Sequence, residues 1–266
     1  MSFVKYILLV SVLFACQKSE ERKQVLIFGH AGMGLSMDNS IYHDNSAEAV
    51  ALALNLPACN GVEVDVRLSK NGTLWLYHDE FLEAESTGKG CVADLSDAKI
   101  EQLNYRTAKK EKLVKLVDVL PLLLPDQQLF IDLKHFNSCQ NERIDFDALK
   151  EALEEQIGDY SSQIKLICAY EYWLSDLSEI VDVLYSTDDL NEGKSLLLKY
   201  PNLQGLVMRN AHLNKEDVKI IHNLNRSVYL FDIRSLKGIK QALDKCPTGM
   251  FADDLRQALV ERGYAL

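Results

Sequence analysis

The sequence predicts an α/β fold, a closed (β/α)8 barrel with an added antiparallel partner for its second strand. Three observations lead there. Short, nearly continuous apolar runs alternate with amphipathic stretches from residue 25 onward, the pattern of a parallel sheet covered by helices. Two of the runs are separated only by "KNG", which makes one of them a hairpin partner and leaves eight for a parallel core. About 240 residues follow the N-terminal leader, the usual size of an eight-stranded barrel. An open doubly wound sheet is the rival arrangement, but no GxGxxG follows the first run.

The first strand is expected at "VLIF" (25–28) and the second at "VEVDV" (62–66). Its hairpin partner is "TLWLY" (73–77), because Asn71-Gly72 is the strongest short hairpin signal. The remaining strands are expected at "LFIDL" (129–133), "IKLICA" (164–169), "IVDVLY" (180–185), "GLVM" (205–208), "VYLFDI" (228–233) and "GMFA" (249–252). Helical patterns occupy "SAEAVALALNL" (46–56), "DFDALKEALEEQI" (145–157) and "NKEDVKIIHNL" (214–224), opened by Ser46, Asp145 and Asn214 as N-caps. No internal repeat, low-complexity tract or linker divides residues 25–266, so they read as one domain.

Residues 1–15 read as an export signal: Lys5 supplies a positive charge and Tyr6 to Phe14 an apolar core too short to span a bilayer. The signal ends "LFAC", which resembles the lipobox of bacterial lipoproteins and makes Cys16 the expected lipidation site. An unlipidated secretory signal is the alternative. Residues 16–24 are Cys16 and a polar tether, "QKSEERKQ", of about 25 Å when extended. The expected place is therefore the bacterial cell envelope, with a lipid anchor in the membrane.

The 266 residues are 47% hydrophobic and 26% charged, with a formal net charge of −10. That charge and the lack of a basic stripe exclude a nucleic-acid partner. An anionic substrate would need local cations. Five cysteines follow Cys16, an odd number without a CxxC pair, so neither a metal finger nor a full disulfide framework is predicted. An oxidising compartment permits a bridge, but the sequence does not identify it. Cys168 reads as a small core residue. Nothing in the sequence sets an oligomeric state.

Chemistry is concentrated at strand ends. Glu63 and Asp65 alternate with Val62, Val64 and Val66 and so share the opposite face, pointing into a barrel. Close carboxylates repel unless something positive lies between them. A hard divalent cation is the economical answer; an acidic edge strand facing water is the bland one. The first strand ends at His30, the hairpin partner at His78 beside Asp79, and "LFIDLK" carries Asp132 and Lys134 on one face. These are the positions where barrels hold their active sites. Three carboxylates, two histidines and a lysine suit phosphodiester cleavage, with cations neutralising the phosphate and imidazoles moving protons.

The block "GVEVDVRLSKNGTLWLYHDEFLEAESTGKGCVADLS" resembles the glycerophosphodiester phosphodiesterases, a TIM-barrel family, in its E-x-D, its turn, its HD pair, its T-x-G-x-G and its "DLS". "GHAG", "IDLK" and "MFADD" resemble further family motifs. The resemblance implies Glu63, Asp65 and Asp132 as ligands of Ca2+ or Mg2+, His30 and His78 as catalytic histidines, and Lys134 as a phosphate contact. It also implies a small phosphodiester substrate. Three departures stand out. Ala31 replaces the family's arginine after the first histidine, leaving Lys134, or a distant residue such as Arg209, to supply charge. Asp44-Asn45-Ser46 replaces Glu-Asn-Thr, and Asp132 replaces a glutamate. The loop "AGMGLSMDNSIYH" is enlarged and reads either as a lip over the substrate or as a plain surface loop. Two functions follow as expectations: metal-dependent hydrolysis of glycerophosphodiesters to glycerol phosphate and an alcohol, or a barrel that binds a phosphodiester or sugar phosphate without turnover. Another metal-dependent barrel chemistry, on a sugar for instance, comes third, since the fold alone allows it.

Overall fold

The structure, a computed structural model, describes residues 20–34 and 41–264. The leader, the lipobox, Cys16 and the middle of the enlarged loop lie outside the described residues. The strands are β1 (Leu26–Gly29), β2 (Gly61–Leu68), β3 (Leu74–Leu76), β4 (Gln128–Leu133), β5 (Phe136–Asn137), β6 (Glu142–Arg143), β7 (Ile164–Cys168), β8 (Asp182–Ser186), β9 (Gly205–Arg209), β10 (Ser227–Phe231) and β11 (Gly249–Ala252). Eight of them, β1, β2, β4 and β7 to β11, form a parallel ring that closes where β1 pairs with both β11 and β2. The expected barrel is the observed one. All nine predicted runs are strands, and β3 is antiparallel to the end of β2, with Val66 opposite Leu76. Gly72 takes φ +81 in the turn between them, a conformation glycine adopts at little cost.

The valines of β2 belong to the large outer core with Val50, Ala53 and Leu54 of the helix Ala47–Leu54. Inside the ring a separate cluster joins Phe28, Phe130, Ile167, Leu184, Val207, Tyr229 and Phe251. Its rings meet edge to face, with centroids 4.8 Å apart for Phe28–Phe130 and for Phe130–Tyr229. This plug fills the barrel centre as layered side chains do in such folds.

The three predicted N-caps form as expected. Ser46 and Asp145 accept from backbone N–H groups of Ala47–Leu54 and Phe146–Ile157, and Asn214 builds a reciprocal box with Asp217 at Lys215–Asn223. Asp97 stabilises the β2–β3 turn by accepting from Ser69, Thr73 and the Trp75 indole, at 2.6, 2.6 and 2.9 Å. Among the described residues no helix is long and apolar enough to cross a membrane.

The short β5–β6 hairpin was not expected. It carries Cys139 at its tip, bridged to Cys91 across 48 residues of sequence. Closing a loop of that length restricts the unfolded chain by about 4 kcal/mol in the chain-entropy picture, with measured effects of about 2–4 kcal/mol. Reduction, or the double substitution Cys91→Ser/Cys139→Ser, is therefore expected to lower stability by about 2–4 kcal/mol in urea unfolding.

Candidate active site

β2 and β4 run side by side with Asp65 in register with Asp132 and Glu63 in register with Phe130. Neighbouring strands lie about 4.8 Å apart, so the register itself places two carboxylates together. Glu63, one inward position earlier, completes a group whose ligating oxygens all lie within 4.8 Å of one another. Lys134, just past β4, places Nζ 2.7 Å from both Asp65 Oδ1 and Asp132 Oδ2. Glu63 has no such ammonium partner among the described residues; its Oε2 accepts the Ala31 N–H at 2.9 Å and lies 3.8 Å from His30 Nε2.

The turn after β1 delivers these contacts. A side chain at Gly29 would meet the Gly32 carbonyl at 1.7 Å, so only glycine lets the chain fold back so tightly over the barrel end. Ala31 takes φ +49 there, which is costly for a residue with a Cβ but aims its N–H at Glu63. His30 is fixed from behind by Asp253, whose Oδ1 lies 2.7 Å from Nδ1. His78 lies two residues past β3, with its Nδ1 2.8 Å from Asp79 Oδ1.

All six predicted site residues line one cavity of about 390 Å³ at the C-terminal end of the barrel. Its floor is Ile167, Val207 and Phe251 from the plug, and its far wall carries Ser186, Arg209, Phe231, Asp232 and Arg234. Arg209 meets the expectation of a distant cation in part. It reaches the cavity, yet its guanidinium is paired with Asp188 at 3.0 Å and Asp232 at 3.2 Å.

Sequence reasoning gave no role to two residues of this site. Asp253 lies in the quoted "MFADD", and its place after the last strand was the available signal. Asn45 clamps Asp65 twice: Nδ2 donates to Oδ2 at 2.7 Å, and Oδ1 accepts the Asp65 N–H at 2.9 Å. The tripeptide 44–46 thus divides its work. Asp44 pairs with His43 at 2.6 Å, Asn45 orients a carboxylate, and Ser46 caps a helix. His43, Asp44 and Glu85 form a second histidine–carboxylate group, with the His43 ring stacked 3.8 Å from Tyr105.

Charge crowding sets the protonation. Burial and the Asp65 charge push Glu63 up from its ordinary 4.5. Burial acts upward on Asp65 too, but Lys134, His78 and the Asn45 amide overcome it and hold the group below its ordinary value. Burial pulls the His30 imidazole down, while the Asp253 hydrogen bond and the charges of Glu63, Asp253 and Asp65 outweigh it and bring it to about 9.

The sequence profile of the glycerophosphoryl diester phosphodiesterase family matches residues 30–262. The chain belongs to this family. A glycerophosphodiester phosphodiesterase of Bacillus altitudinis is 25% identical over 244 residues, covering 85% of this chain and 94% of the relative. A probable glycerophosphodiester phosphodiesterase 1 of Mycobacterium tuberculosis is 40% identical over 62 residues, 23% of this chain and 22% of its own. Among solved structures, an Oleispira antarctica phosphodiesterase bound to the product sn-glycerol-3-phosphate superposes with TM-score 0.74 at 16% identity, over 88% of this chain and 95% of that one. A glycerophosphodiester phosphodiesterase of Thermotoga maritima gives 0.70 at 19% identity, over 89% and 97%. The fold match and the family profile agree, and membership makes the chain a phosphoric diester hydrolase.

Two predictions follow from the family site as it is built here. Asn45→Ala removes two bonds to a buried carboxylate residue and is expected to destabilise the protein by about 1.5–3 kcal/mol. Asn45→Asp, which sets a second carboxylate against Asp65, is expected to do so by more; urea midpoints decide. The second concerns pH. Glu63 and His30 both hold their protons more tightly in the folded chain than in the unfolded one, Glu63 above 4.5 and His30 up to about 9 from 6.5. As pH rises the unfolded chain releases these protons first, so stability falls. In chelator, stability is expected to decline from pH 4.5 to about 9, with Glu63→Gln flattening the lower part of the curve.

Proposed function

We propose that this protein hydrolyses glycerophosphodiesters to glycerol phosphate and an alcohol at the cavity of His30, His78 and the three carboxylates, using a divalent cation. The observation that carries the reading is the convergence of Glu63, Asp65 and Asp132 around a point that, among the described residues, one ammonium serves. Their oxygen donors suit a hard cation, Ca2+ or Mg2+, rather than a thiophilic one. The buried Glu63, which meets the His30 imidazole at 3.8 Å but no ammonium among the described residues, is the group that such an ion would satisfy. When bound, the cation would neutralise charge developing on the phosphate oxygens.

The chain's own residues supply the rest. Lys134 offers an ammonium to the phosphate while keeping Asp65 and Asp132 together. His30 and His78 lie on different elements around the same cavity, an arrangement that lets one imidazole take the proton of the nucleophile, water or a substrate hydroxyl, and the other return one to the leaving alcohol. Asp253 holds the His30 ring with Nε2 turned toward Glu63 and the cavity. The plug beneath makes the floor apolar and dry, which strengthens every charge interaction above it. The product in the Oleispira antarctica complex, sn-glycerol-3-phosphate, supports glycerol phosphate as the half released here. Export to the cell envelope and lipidation of Cys16 complete the proposal, resting on the leader sequence alone.

The test is a chelator-treated protein assayed on glycerophosphocholine and on a chromogenic diester. Activity is expected to return with Ca2+ or Mg2+, and to fall at least about 10²–10⁴-fold in His30→Ala and His78→Ala. Glu63→Ala is expected to abolish the response to metal. Activity indifferent to all three changes places the chemistry elsewhere, and tight cation binding without turnover on any diester leaves a binding barrel.

A further inference from the structure

β2 carries a third charged side chain on the face of Glu63 and Asp65. Arg67 is the next inward residue, only 9% exposed, and it does not reach the cavity lining. Its guanidinium turns sideways instead. Nη2 donates to the His78 carbonyl at 2.8 Å and Nη1 to the Phe136 carbonyl at 3.3 Å. Nε has no partner among the described residues. Burying an arginine with one donor orphaned is a poor use of a core position if stability is its only purpose.

The two imidazoles explain the difference. His30 is held on both sides, by its N–H to the Ala252 carbonyl at 3.3 Å and by Asp253. His78 has left a three-residue strand, and its side chain is 37% exposed. Its ring partner, Asp79, is its own chain neighbour and is also partly exposed. The last backbone bond to β2 before it is Tyr77 N–H to the Asp65 carbonyl, 3.0 Å. Beyond Tyr77, the Arg67 bond fixes the main chain from which the imidazole hangs. The other end of the guanidinium grips a hairpin that is itself secured by the Cys91–Cys139 bridge and by Asn137 donating to Asp94 at 3.1 Å.

We infer that Arg67 is a positioning residue for His78, tying its peptide to the cross-linked β5–β6 hairpin so that the imidazole meets the substrate at one fixed place. A displacement of about 1 Å in a catalytic group can reduce rate about 10²-fold, so a single anchoring bond has a large kinetic reach. The kinetic part of this inference rests on the phosphodiesterase reading; the geometric part does not.

Arg67→Met and Arg67→Lys are made in the full chain, alone and in the His78→Ala background, and assayed on a chromogenic diester with saturating cation. Arg67→Met is expected to lower kcat about 10–100-fold with KM within about threefold, because the guanidinium does not touch the cavity. Arg67→Lys, which keeps a donor for one carbonyl, recovers part of the loss. In the His78→Ala background Arg67→Met adds no further loss. An effect confined to KM, or an equal loss in both backgrounds, overturns the inference. A second arm needs no turnover: the Cε1–H resonances of the six histidines, with His78 assigned from His78→Ala. The His78 signal is expected to shift and broaden in Arg67→Met and, less so, in Arg67→Lys, with His30 unmoved. An unmoved His78 overturns the inference even where kcat falls, and the lysine variant decides where the methionine one does not fold. Absence of turnover in the wild type speaks against the proposed function alone, and the resonances then decide Arg67.

Discussion

The structure depends on the repulsion among Glu63, Asp65 and Asp132. Parallel pairing of β2 with β4 sets Asp65 beside Asp132, and like charges in register across two strands are unfavourable. Nothing in the β2–β4 ladder itself relieves this; relief has to come from groups brought to the same end of the barrel. Lys134 supplies it for two of the three carboxylates. Asn45 and the Ala31 N–H supply neutral donors for Asp65 and Glu63. The turn after β1 and the tripeptide 44–46 are conformationally costly, with Ala31 and Asn45 both at positive φ. They are kept because each aims a donor at a carboxylate.

The aromatic plug belongs to the same logic. A barrel open through its centre would hydrate the carboxylates from below and weaken their hold on any cation. Phe28, Phe130, Tyr229 and Phe251 close that route with rings in mutual contact. The cavity lies above them, with Ile167, Val207 and Phe251 of the plug in its lining. One end of the fold is spent on packing and the other on charge.

Much of this was legible in the sequence because periodicity reports which way a strand residue faces. Valines alternating with acids in "VEVDV" could only mean one apolar face and one acidic face, and the "KNG" turn fixed the direction of the next strand. Three N-caps were equally plain, since a capping residue and its helix are neighbours in sequence. What escaped was long-range. Asp253 meets His30 across 223 positions, and Cys91 meets Cys139 only because β5–β6 folds back beside the turn Val92–Asp94. The sideways bonds of Arg67 to two carbonyls have no local signature either. Strand ends also drifted: "IVDVLY" begins two residues before the observed Asp182–Ser186, because an apolar pair at Ile180 and Val181 looks the same in a turn packed on the core as in a strand.

Ala31 sharpens the question of where charge comes from. Its side chain cannot offer the cation that an arginine would, and its N–H is already committed to Glu63. The cavity lining holds four carboxylates, Glu63, Asp65, Asp132 and Asp232, against three fixed cations, Lys134, Arg209 and Arg234. Counted with every carboxylate ionised and the imidazoles left out, these fixed groups sum to one net negative charge before any ion is added. A bound divalent cation would turn this balance to one net positive charge, and a monoanionic diester would then close it at neutrality. The arginines of the far wall are therefore not spare: without them the same ion would leave the site negative once the substrate arrived. On this count the loss of the arginine at position 31 is balanced across the cavity rather than at the turn where it occurred.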